Sequence, residues 1–457
     1  AFTEVRAEVA GATQGCYWLA DRDTLQDTGE APAGWRNLAE CSSGQSEANL
    51  PDSQQVKLKD PLFYIYTSGT TGLPKASITS HGKWIKAYGG FGHAGLALNH
   101  TDVLYLTLPL YHSNAVTVSW GSALAGGAAM AVRRKFSASA FWKDVAFYQA
   151  TCFGYIGELC RYLLNQPPCP EEINNTLTCM IGNGLRPAIW NEFKTRFDVQ
   201  RITEFYASSE GNIGFTNVFN FNNTVGYSPA KVAIVSYDLD NDRPVRNAKG
   251  FLEKTAAGQP GLLISEISKK WPFDGYTDPA KSEAAILRNV FKKGDAWYNT
   301  GDLMRNIGCK HAQFVDRLGD TFRWKGENVS TTEVESLLGA FPGVEDAVVY
   351  GVEIPDTNGR CGMAALRLNS GAKLDPLALA EYLDKEMPAY AAPLFIRLLT
   401  EVETTGTFKY KKTDLKREAY DPAQTNDPLW VRLPGSNRFE SVCSVVYGQI
   451  QEANYRF

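Results

Sequence analysis

The chain has 457 residues, of which 44% are hydrophobic and 21% are charged, a composition typical of a folded protein rather than a disordered one. Its 46 basic and 50 acidic side chains give a formal charge of −4, so no overall basic field would attract nucleic acid. The nine cysteines form no CxxC pair and indicate neither a zinc site nor a disulfide framework. They are typical of reduced cysteines inside a cell. The composition therefore favours a large intracellular enzyme.

Beyond a polar, turn-rich stretch of about 60 residues, runs of strand formers alternate with helical patterns. Residues 62–66 and 103–106 are rich in strand formers and are bounded by turn residues, which predicts strands. Residues 141–148 and 157–164 have helical periodicity. Alternation of this kind predicts α/β layers around a largely parallel sheet.

One uncharged stretch, residues 103–132, is longer than the roughly 20 residues that cross a bilayer. Pro109 and polar residues interrupt it, and it ends in glycine and alanine. We therefore predict a strand and turn over 103–109, followed by a buried helix of small residues at about 116–124, rather than a membrane span.

The second half of the chain contains a β-rich region and then a mixed α+β region. Many short apolar segments, separated by turn residues, predict the β-rich part at about 225–318. A capping box that begins at Ser330 predicts the start of one helix, and Asp375 followed by proline predicts a second. We expect a large domain over 1–318 and a small C-terminal domain over 319–457.

Residues 64–75 carry the sharpest chemical signal. An apolar strand runs directly into a loop of hydroxyl side chains and glycines that ends in Lys75. Glycines let the backbone approach a ligand closely, and hydroxyls with a cation complete a phosphate cradle. The loop is not a Walker A loop, because no glycine stands directly before the lysine.

This loop resembles the AMP-binding signature of the adenylate-forming superfamily, which contains acyl-CoA synthetases, luciferases and the adenylation domains of peptide synthetases. Two other segments, 155–168 and 319–335, are similar to the fatty acid transport protein / very-long-chain acyl-CoA synthetase family. The resemblance extends from about residue 60 to the end of the chain. Further motifs match in the expected order at 182–185, 206–210, 298–302, 316–317 and 404–415.

The resemblance implies an α/β fold with a large N-terminal domain of layered sheets and helices, a β-rich subdomain and a small mobile α+β C-terminal domain. It also implies an ATP-dependent ligase for long- or very-long-chain fatty acids that uses Mg²⁺. Fatty acid and ATP would give acyl-AMP and pyrophosphate, and coenzyme A would then give the thioester. Two alternatives stay open: another carboxylic acid, such as a bile acid or a carnitine-like substrate, or a membrane component for fatty acid uptake whose ligase chemistry is secondary.

The resemblance assigns a set of residues to the nucleotide. In it, Tyr206 offers a flat face to adenine, Ser209 keeps a hydroxyl for the α-phosphate, and Asp302 accepts from the ribose hydroxyls. Arg317 reaches ribose or phosphate with several donors. The full set is Thr67, Ser68, Gly69, Thr70, Thr71, Gly72, Lys75, Gly182, Asn183, Gly184, Tyr206, Ser209, Asp302 and Arg317.

The resemblance also assigns catalytic roles. Lys409 would stabilise the charge that develops at phosphorus, and Glu210 would hold Mg²⁺. His112 matches a position near the acyl carboxylate, with a buried structural histidine as the alternative. Gly319 would be the hinge between two catalytic states; the alternative is a static turn with positive φ. Two nearby lysines, at 411 and 412, compete with Lys409 for the catalytic assignment.

In the resembled family the phosphate loop lies much further from the N-terminus than residue 64. We therefore expect an N-terminally incomplete chain that lacks part of the large domain and a membrane-associated segment. The implied location is intracellular and membrane-associated, with a cytosolic catalytic domain at the endoplasmic reticulum, peroxisome or plasma membrane. The resemblance leaves room for a homodimer.

Overall fold

The computed structural model describes residues 17–18, 35–67, 75–239, 241–357, 359–399 and 412–457. The chain divides into two units, Ala1–Lys57 and Leu58–Phe457. In the first unit two short strands pair in parallel, and the side chain of Asn37 caps the helix that follows them. The elements of this unit are β1 Tyr17–Trp18, β2 Arg36–Asn37, α1 Leu38–Ser42 and the 3₁₀ helix Pro51–Gln55.

The second unit begins with an antiparallel hairpin that flanks the Gly-rich loop. The hydroxyl of Ser80 accepts from the backbone N–H of Lys83 and so caps the helix that follows. Serine favours this position because its oxygen satisfies a backbone donor that has no partner within the helix. The elements are β3 Pro61–Thr67, β4 Lys75–Ser80, α2 His81–Ala87 and the π-helical turn Tyr88–Leu96.

The next part of the chain builds the parallel half of a large sheet. Its strands are flanked by helices on their faces, and their side chains form a continuous buried core. The elements are β5 Val103–Leu106, the π-helical turn Asn114–Ser119, α3 Trp120–Gly126, β6 Ala129–Val132, α4 Phe141–Tyr148, β7 Cys152–Ile156, α5 Gly157–Leu164, α6 Pro170–Ile173, β8 Cys179–Asn183, α7 Pro187–Arg196 and β9 Arg201–Ala207.

The strands after β9 add the antiparallel half of the same sheet. Aromatic and aliphatic side chains from these strands form two further apolar clusters. The elements are β10 Gly214–Thr216, β11 Gly226–Tyr227, β12 Val232–Val235, β13 Tyr237–Asp238, β14 Arg243–Pro244, β15 Pro260–Glu266, α8 Pro279–Ala284, β16 Ile286–Arg288, β17 Ala296–Gly308 and β18 His311–Arg317.

The sheet has twelve strands in the order β12-β15-β17-β18-β11-β10-β9-β8-β7-β5-β6, with β16 paired to β17. All pairs from β6 to β9 are parallel, and all pairs from β9 onward are antiparallel. Strand β9 is therefore the junction between the two halves. The carboxyl ends of β5, β7, β8 and β9 lie at one edge, which is where α/β sheets bind ligands.

Residues 322–457, here called the C-terminal lobe, contain a separate five-stranded sheet in the order β21 to β25. Ser330 and Asp375 cap the two helices that pack on its core. The elements are β19 Phe322–Trp324, β20 Glu327–Val329, α9 Thr331–Gly339, β21 Val344–Val352, β22 Cys361–Leu368, α10 Pro376–Glu386, β23 Phe395–Leu398, α11 Lys412–Glu418, β24 Leu429–Val431, β25 Glu440–Ser441 and α12 Ser444–Gln451.

The predicted elements are confirmed in their main features. Helices α4 and α5 have the predicted bounds, and the uncharged stretch contains β5, a π-helical turn and α3. Within the described ranges, no helix has the length and apolarity required to cross a membrane. The predicted α/β fold with a smaller α+β C-terminal region is confirmed, whereas the boundary at 318 and the mobility of the small region stay predictions.

A network of buried charges joins the C-terminal lobe to helix α5. Arg161 lies 3.1 Å from Asp346 in β21 and donates through Nε to Glu158 at 2.9 Å. Arg186 lies 2.9 Å from Glu158 and 3.8 Å from Glu335 in α9. Because these side chains are largely buried, each charge depends on its partners for compensation.

Asp346→Asn tests this network, because it removes the negative partner of Arg161 on the C-terminal lobe. The side chain of Asp346 is 2% exposed, and loss of one member of a buried ion pair costs about 3–5 kcal/mol. Glu158 remains beside Arg161, so we expect a loss of about 3 kcal/mol in the free energy of unfolding, measured by urea denaturation.

Asp384→Asn is the matched control. Asp384 pairs with Arg432 at 2.6 Å within the C-terminal lobe, but its side chain is 53% exposed. Exposed ion pairs contribute at most about 1 kcal/mol. Equal losses for the two variants would contradict a stabilising role of the buried network.

Candidate active site

Glu210 lies in the turn that follows the carboxyl end of β9. Its Oε1 accepts hydrogen bonds from the phenols of Tyr276 at 2.9 Å and Tyr298 at 3.3 Å. The hydroxyl of Tyr298 also lies 3.2 Å from that of Ser208. Two neutral donors from different segments thus fix the direction of a half-buried carboxylate without neutralising its charge.

Lys83 supports the same turn from helix α2. Its ammonium donates to the carbonyl oxygens of Ser208, at 3.3 Å, and Ser209. Burial lowers the pKa of Lys83 to about 8, although the negative charges of Asp274 and Glu210 oppose this shift. Helix α2 directly follows the strand that leaves the Gly-rich loop, so Lys83 ties the chain beyond this loop to the turn that carries Glu210.

Tyr206, Asp302 and Arg317 come together, although they lie far apart in the sequence. The phenol of Tyr206 donates to Oδ2 of Asp302 at 2.6 Å, and both residues are buried. Strands β17 and β18 pair Asp302 directly with Arg317, whose Nε lies 3.7 Å from Oδ1 of Asp302. One carboxylate therefore faces both a phenol and a guanidinium.

The 182–185 segment, which begins in the last residues of β8, is packed tightly against the end of β7. A Cβ at Gly182 would lie 2.1 Å from the carbonyl oxygen of Tyr155, and one at Gly157 would lie 1.7 Å from that of Gly184. Gly184 itself has φ +83°, a conformation that favours glycine. Glycine is therefore required at 182 and 157 for close approach, and at 184 for its backbone conformation.

Glu204, in the neighbouring strand β9, holds the backbone of this segment. Its Oε1 accepts from the backbone N–H groups of Gly184, at 2.5 Å, and Leu185, at 3.2 Å, while Tyr155 donates to Oε2. Burial raises the pKa of the Glu204 carboxyl to about 8, although the three hydrogen bonds oppose the shift. The backbone of the segment is thus fixed by a side chain from the neighbouring strand.

His112 follows the carboxyl end of β5 and faces the same edge of the sheet. Its Nδ1 accepts from the backbone N–H of Asn114 at 3.3 Å. The hydroxyl of the adjacent Ser113 lies 3.0 Å from that of Ser209. The structure thus brings the His112 segment next to the turn that carries Ser209 and Glu210.

Gly319 lies in a turn between β18 and the C-terminal lobe. Its φ is outside the left-handed region, and a Cβ there would meet no atom within 4 Å. Its carbonyl accepts from Lys416 at 2.9 Å. The positive φ of the alternative is therefore wrong, whereas the hinge role of Gly319 stays a prediction.

Several predicted site residues lie outside the described part of the structure. They are the side chains of Thr67 and Lys75, the loop residues Ser68, Gly69, Thr70, Thr71 and Gly72, and Lys409. Lys412 is described: its ammonium lies 3.0 Å from Glu335 and 3.3 Å from the hydroxyl of Thr331. Lys412 therefore has a pairing role in the C-terminal lobe.

Sequence reasoning missed the residues that support the site rather than line it. Lys83 and Glu204 hold the backbone of two predicted segments, and Tyr276 orients Glu210. Glu204 could have been noticed as an acidic residue within an apolar strand. Tyr276 has no local signal, because its partner lies 66 residues away in the chain.

Comparison with known proteins identifies the family. The profile of the AMP-binding enzyme family matches residues 5–260, and that of the AMP-binding enzyme C-terminal domain matches residues 333–409. The chain belongs to the AMP-binding enzyme family, as the resemblance implied.

Within this family, the chain is similar to fatty-acid ligases and fatty acid transport proteins. It is 52% identical to the medium/long-chain-fatty-acid–CoA ligase FadD6 of Mycobacterium tuberculosis over 383 residues, which is 84% of this chain and 64% of that protein. It is 41% identical to long-chain fatty acid transport protein 6 of Mus musculus over 428 residues, which is 92% of this chain and 69% of that protein. The chain thus spans less than two thirds of the length of the mycobacterial ligase.

A solved structure shows the same fold. The anthranilate CoA ligase AuaEII, in complex with anthranoyl-AMP, superposes with a TM-score of 0.73 at 19% identity. The match covers 93% of this chain and 77% of that chain. The chain therefore shares its arrangement of sheets and helices with that solved structure.

Glu204→Gln tests the buried carboxyl beneath the 182–185 segment. In the folded protein the pKa is about 8, against an ordinary value of 4.5, so the folded state binds more protons than the unfolded state between these limits. The contribution of Glu204 to stability is complete below about pH 4.5 and is lost as pH rises towards about 8.

Urea denaturation of both proteins across this pH range measures the effect. Gln keeps an oxygen that can accept from Gly184 but does not ionise, so the stability of the wild type relative to the variant should fall as pH rises. A constant difference across the range would contradict a raised pKa at Glu204.

Proposed function

We propose that this chain is the catalytic part of an ATP-dependent fatty acyl-CoA ligase. The observation that carries the proposal is the convergence of the Glu210 turn, the Tyr206–Asp302–Arg317 cluster and the 182–185 segment at the carboxyl edge of one sheet. The resemblance assigns these residues to the nucleotide. The fatty-acid substrate is supported by the similarity to FadD6, a ligase for medium- and long-chain fatty acids.

In the first half-reaction, a carboxylate oxygen of the fatty acid attacks the α-phosphorus of ATP. The bond to pyrophosphate breaks, and acyl-AMP forms. Asp302 would accept from the ribose hydroxyls, with Arg317 beside it, while Gly182, Asn183 and Gly184 would line the adenine pocket with Tyr206. The hydroxyl of Ser209 would face the α-phosphate.

In the second half-reaction, the thiol of coenzyme A attacks the acyl carbonyl of acyl-AMP. A thioester forms, AMP leaves, and the thiol proton is released. His112 would lie near the acyl carboxylate during the first step. Rotation of the small domain about Gly319 would remove Lys409 and admit the thiol.

Glu210 fits the role of a magnesium ligand. Its carboxylate is half-buried and oriented by two phenols, and Mg²⁺ commonly takes one or two protein carboxylates and completes its shell with phosphates and water. The bound ion would neutralise charge on the ATP phosphates. The chain's own contribution is to hold one carboxylate in a fixed direction.

We also propose that ligation supports fatty acid uptake at a membrane. The mouse relative is named a long-chain fatty acid transport protein. Thioester formation consumes the free acid, so it would draw more acid across the bilayer.

CoA-dependent release of AMP from ATP, measured with palmitate and with a C24 acid, tests the proposed function. We expect AMP and acyl-CoA in equal amounts with at least one of these acids. Adenylation of a bile acid or a carnitine-like substrate, without activity on either fatty acid, would contradict the substrate class.

Lys409→Ala separates the two half-reactions. Its ammonium would act while charge develops at phosphorus, so acyl-AMP formation should fall by about 10²–10³-fold. Conversion of supplied acyl-AMP to acyl-CoA should stay close to the wild-type rate. Lys411→Ala is the control and should change neither rate much; a larger effect there would move the catalytic role to Lys411.

Gly319→Pro tests the hinge. Proline fixes φ near −65°, and the absence of close atoms around a Cβ at this position removes a steric reason for misfolding. We expect one half-reaction close to normal and the other, the CoA step, strongly slowed. Pyrophosphate release and thioester formation are measured separately beside a melting curve, and a folded variant with both steps intact would contradict the hinge.

A further inference from the structure

Asn114 is a buried side chain between two parts of the candidate site. It is 3% exposed and begins the π-helical turn that follows the His112 segment. Its Nδ2 donates to the carbonyl oxygen of Tyr155 at 3.1 Å and to Oδ1 of Asn183 at 2.9 Å. Both hydrogens of the amide are therefore engaged in hydrogen bonds, one to a residue of β7 and one to the last residue of β8.

The bond to Asn183 determines which end of that side chain a ligand can meet. A side-chain amide offers an acceptor oxygen at one end and two donor hydrogens at the other. Because Asn114 donates to the oxygen of Asn183, the NH₂ group of Asn183 is directed away from Asn114. This orientation suits a ligand atom that accepts a hydrogen bond, such as a ring nitrogen of a purine.

The backbone of Asn114 acts on His112 in a similar way. Its N–H donates to Nδ1 of His112 at 3.3 Å, so the neutral imidazole carries its proton on Nε2. An Nε2–H group is a donor, which suits the oxygen of a substrate carboxylate. The two bonds that the Asn114 side chain donates help to hold the backbone that sets this tautomer.

We propose that Asn114 is a positioning residue that directs the donor groups of His112 and Asn183 toward the two substrates of the reaction. His112 would present Nε2–H to the acyl carboxylate, and Asn183 would present its NH₂ group to the base of ATP. The inference rests on the proposed ligase function for its substrates, whereas the polarity of the two donors follows from the hydrogen bonds alone.

Asn114→Asp and Asn114→Ser test the proposal. Aspartate keeps the shape of the side chain but replaces the NH₂ donor by an acceptor that faces the oxygens of Tyr155 and Asn183. Serine has a single donor hydrogen, so it can keep at most one of these two hydrogen bonds, and it adds no charge. We expect the KM for ATP and the KM for the fatty acid to rise by about 3- to 10-fold each, as for the loss of one hydrogen bond per substrate.

Asn175 provides the matched control. It precedes β8, at the opposite end of this strand from Asn183, and its Nδ2 donates to the carbonyl oxygens of Glu172 at 2.9 Å and Phe197 at 3.1 Å. Asn175→Asp and Asn175→Ser should lower the melting temperature, as the Asn114 variants do, but leave both KM values unchanged. Unchanged KM values in a folded Asn114→Ser protein would overturn the proposal, as would an equal rise in the Asn175 variants.

Calorimetric titration with AMP separates this proposal from the proposed function. If the wild type binds AMP but forms no acyl-CoA, the ligase function fails, and the Kd for AMP decides the role of Asn114. We expect this Kd to rise by about 3- to 10-fold in Asn114→Ser and to stay constant in Asn175→Ser. A Kd for AMP that is equal in the two variants, or a wild type that does not bind AMP, would overturn the proposal.

Discussion

The structure depends on strand β9, which carries the buried Glu204 and the site residue Tyr206 and leads into the turn that carries Glu210. Glu204 points into the parallel half and holds the backbone at Gly184 and Leu185. Tyr206 lies two residues further on, and its phenol donates a hydrogen bond to Asp302 of the antiparallel half. The turn after the strand carries Glu210. Because β9 pairs with β8 on one side and β10 on the other, a shift of its register by one residue would displace all these contacts.

This arrangement explains how the proposed nucleotide site draws on segments more than 100 residues apart. The parallel strands β5, β8 and β9 all end at one edge, so the segments that follow them meet there. The antiparallel strands β17 and β18 bring Asp302 and Arg317 to the same place through their pairing register. The site is therefore a product of the sheet topology, and the side chains only complete it.

Local features of the fold were predictable from the sequence. Helices α4 and α5 have the expected bounds because their periodicity is a property of eight consecutive residues. Ser330 caps α9 as expected, since this contact involves a residue three positions away. The site residues, in contrast, were identified by resemblance to a family, which carries information about contacts that periodicity lacks.

The supporting residues could not be predicted in this way. Glu204 and its backbone partners lie about 20 residues apart and meet only after β8 and β9 pair. Arg161 lies in a segment that resembles the fatty acid transport protein family, but its ion-pair partner Asp346 lies in the C-terminal lobe. The role of Arg161 therefore depends on how this lobe packs. Such interactions depend on tertiary contacts, and no pattern along the chain reports them.

We propose that the segments joined by β9 form one site for a nucleotide. A crystal structure of the protein with a non-hydrolysable acyl-AMP analogue tests this proposal most directly. We expect a ribose hydroxyl within hydrogen-bond distance of Asp302 and the adenine ring against residues 182–185 and Tyr206. An analogue bound elsewhere, or one with its base away from this segment, would contradict a nucleotide site at β9.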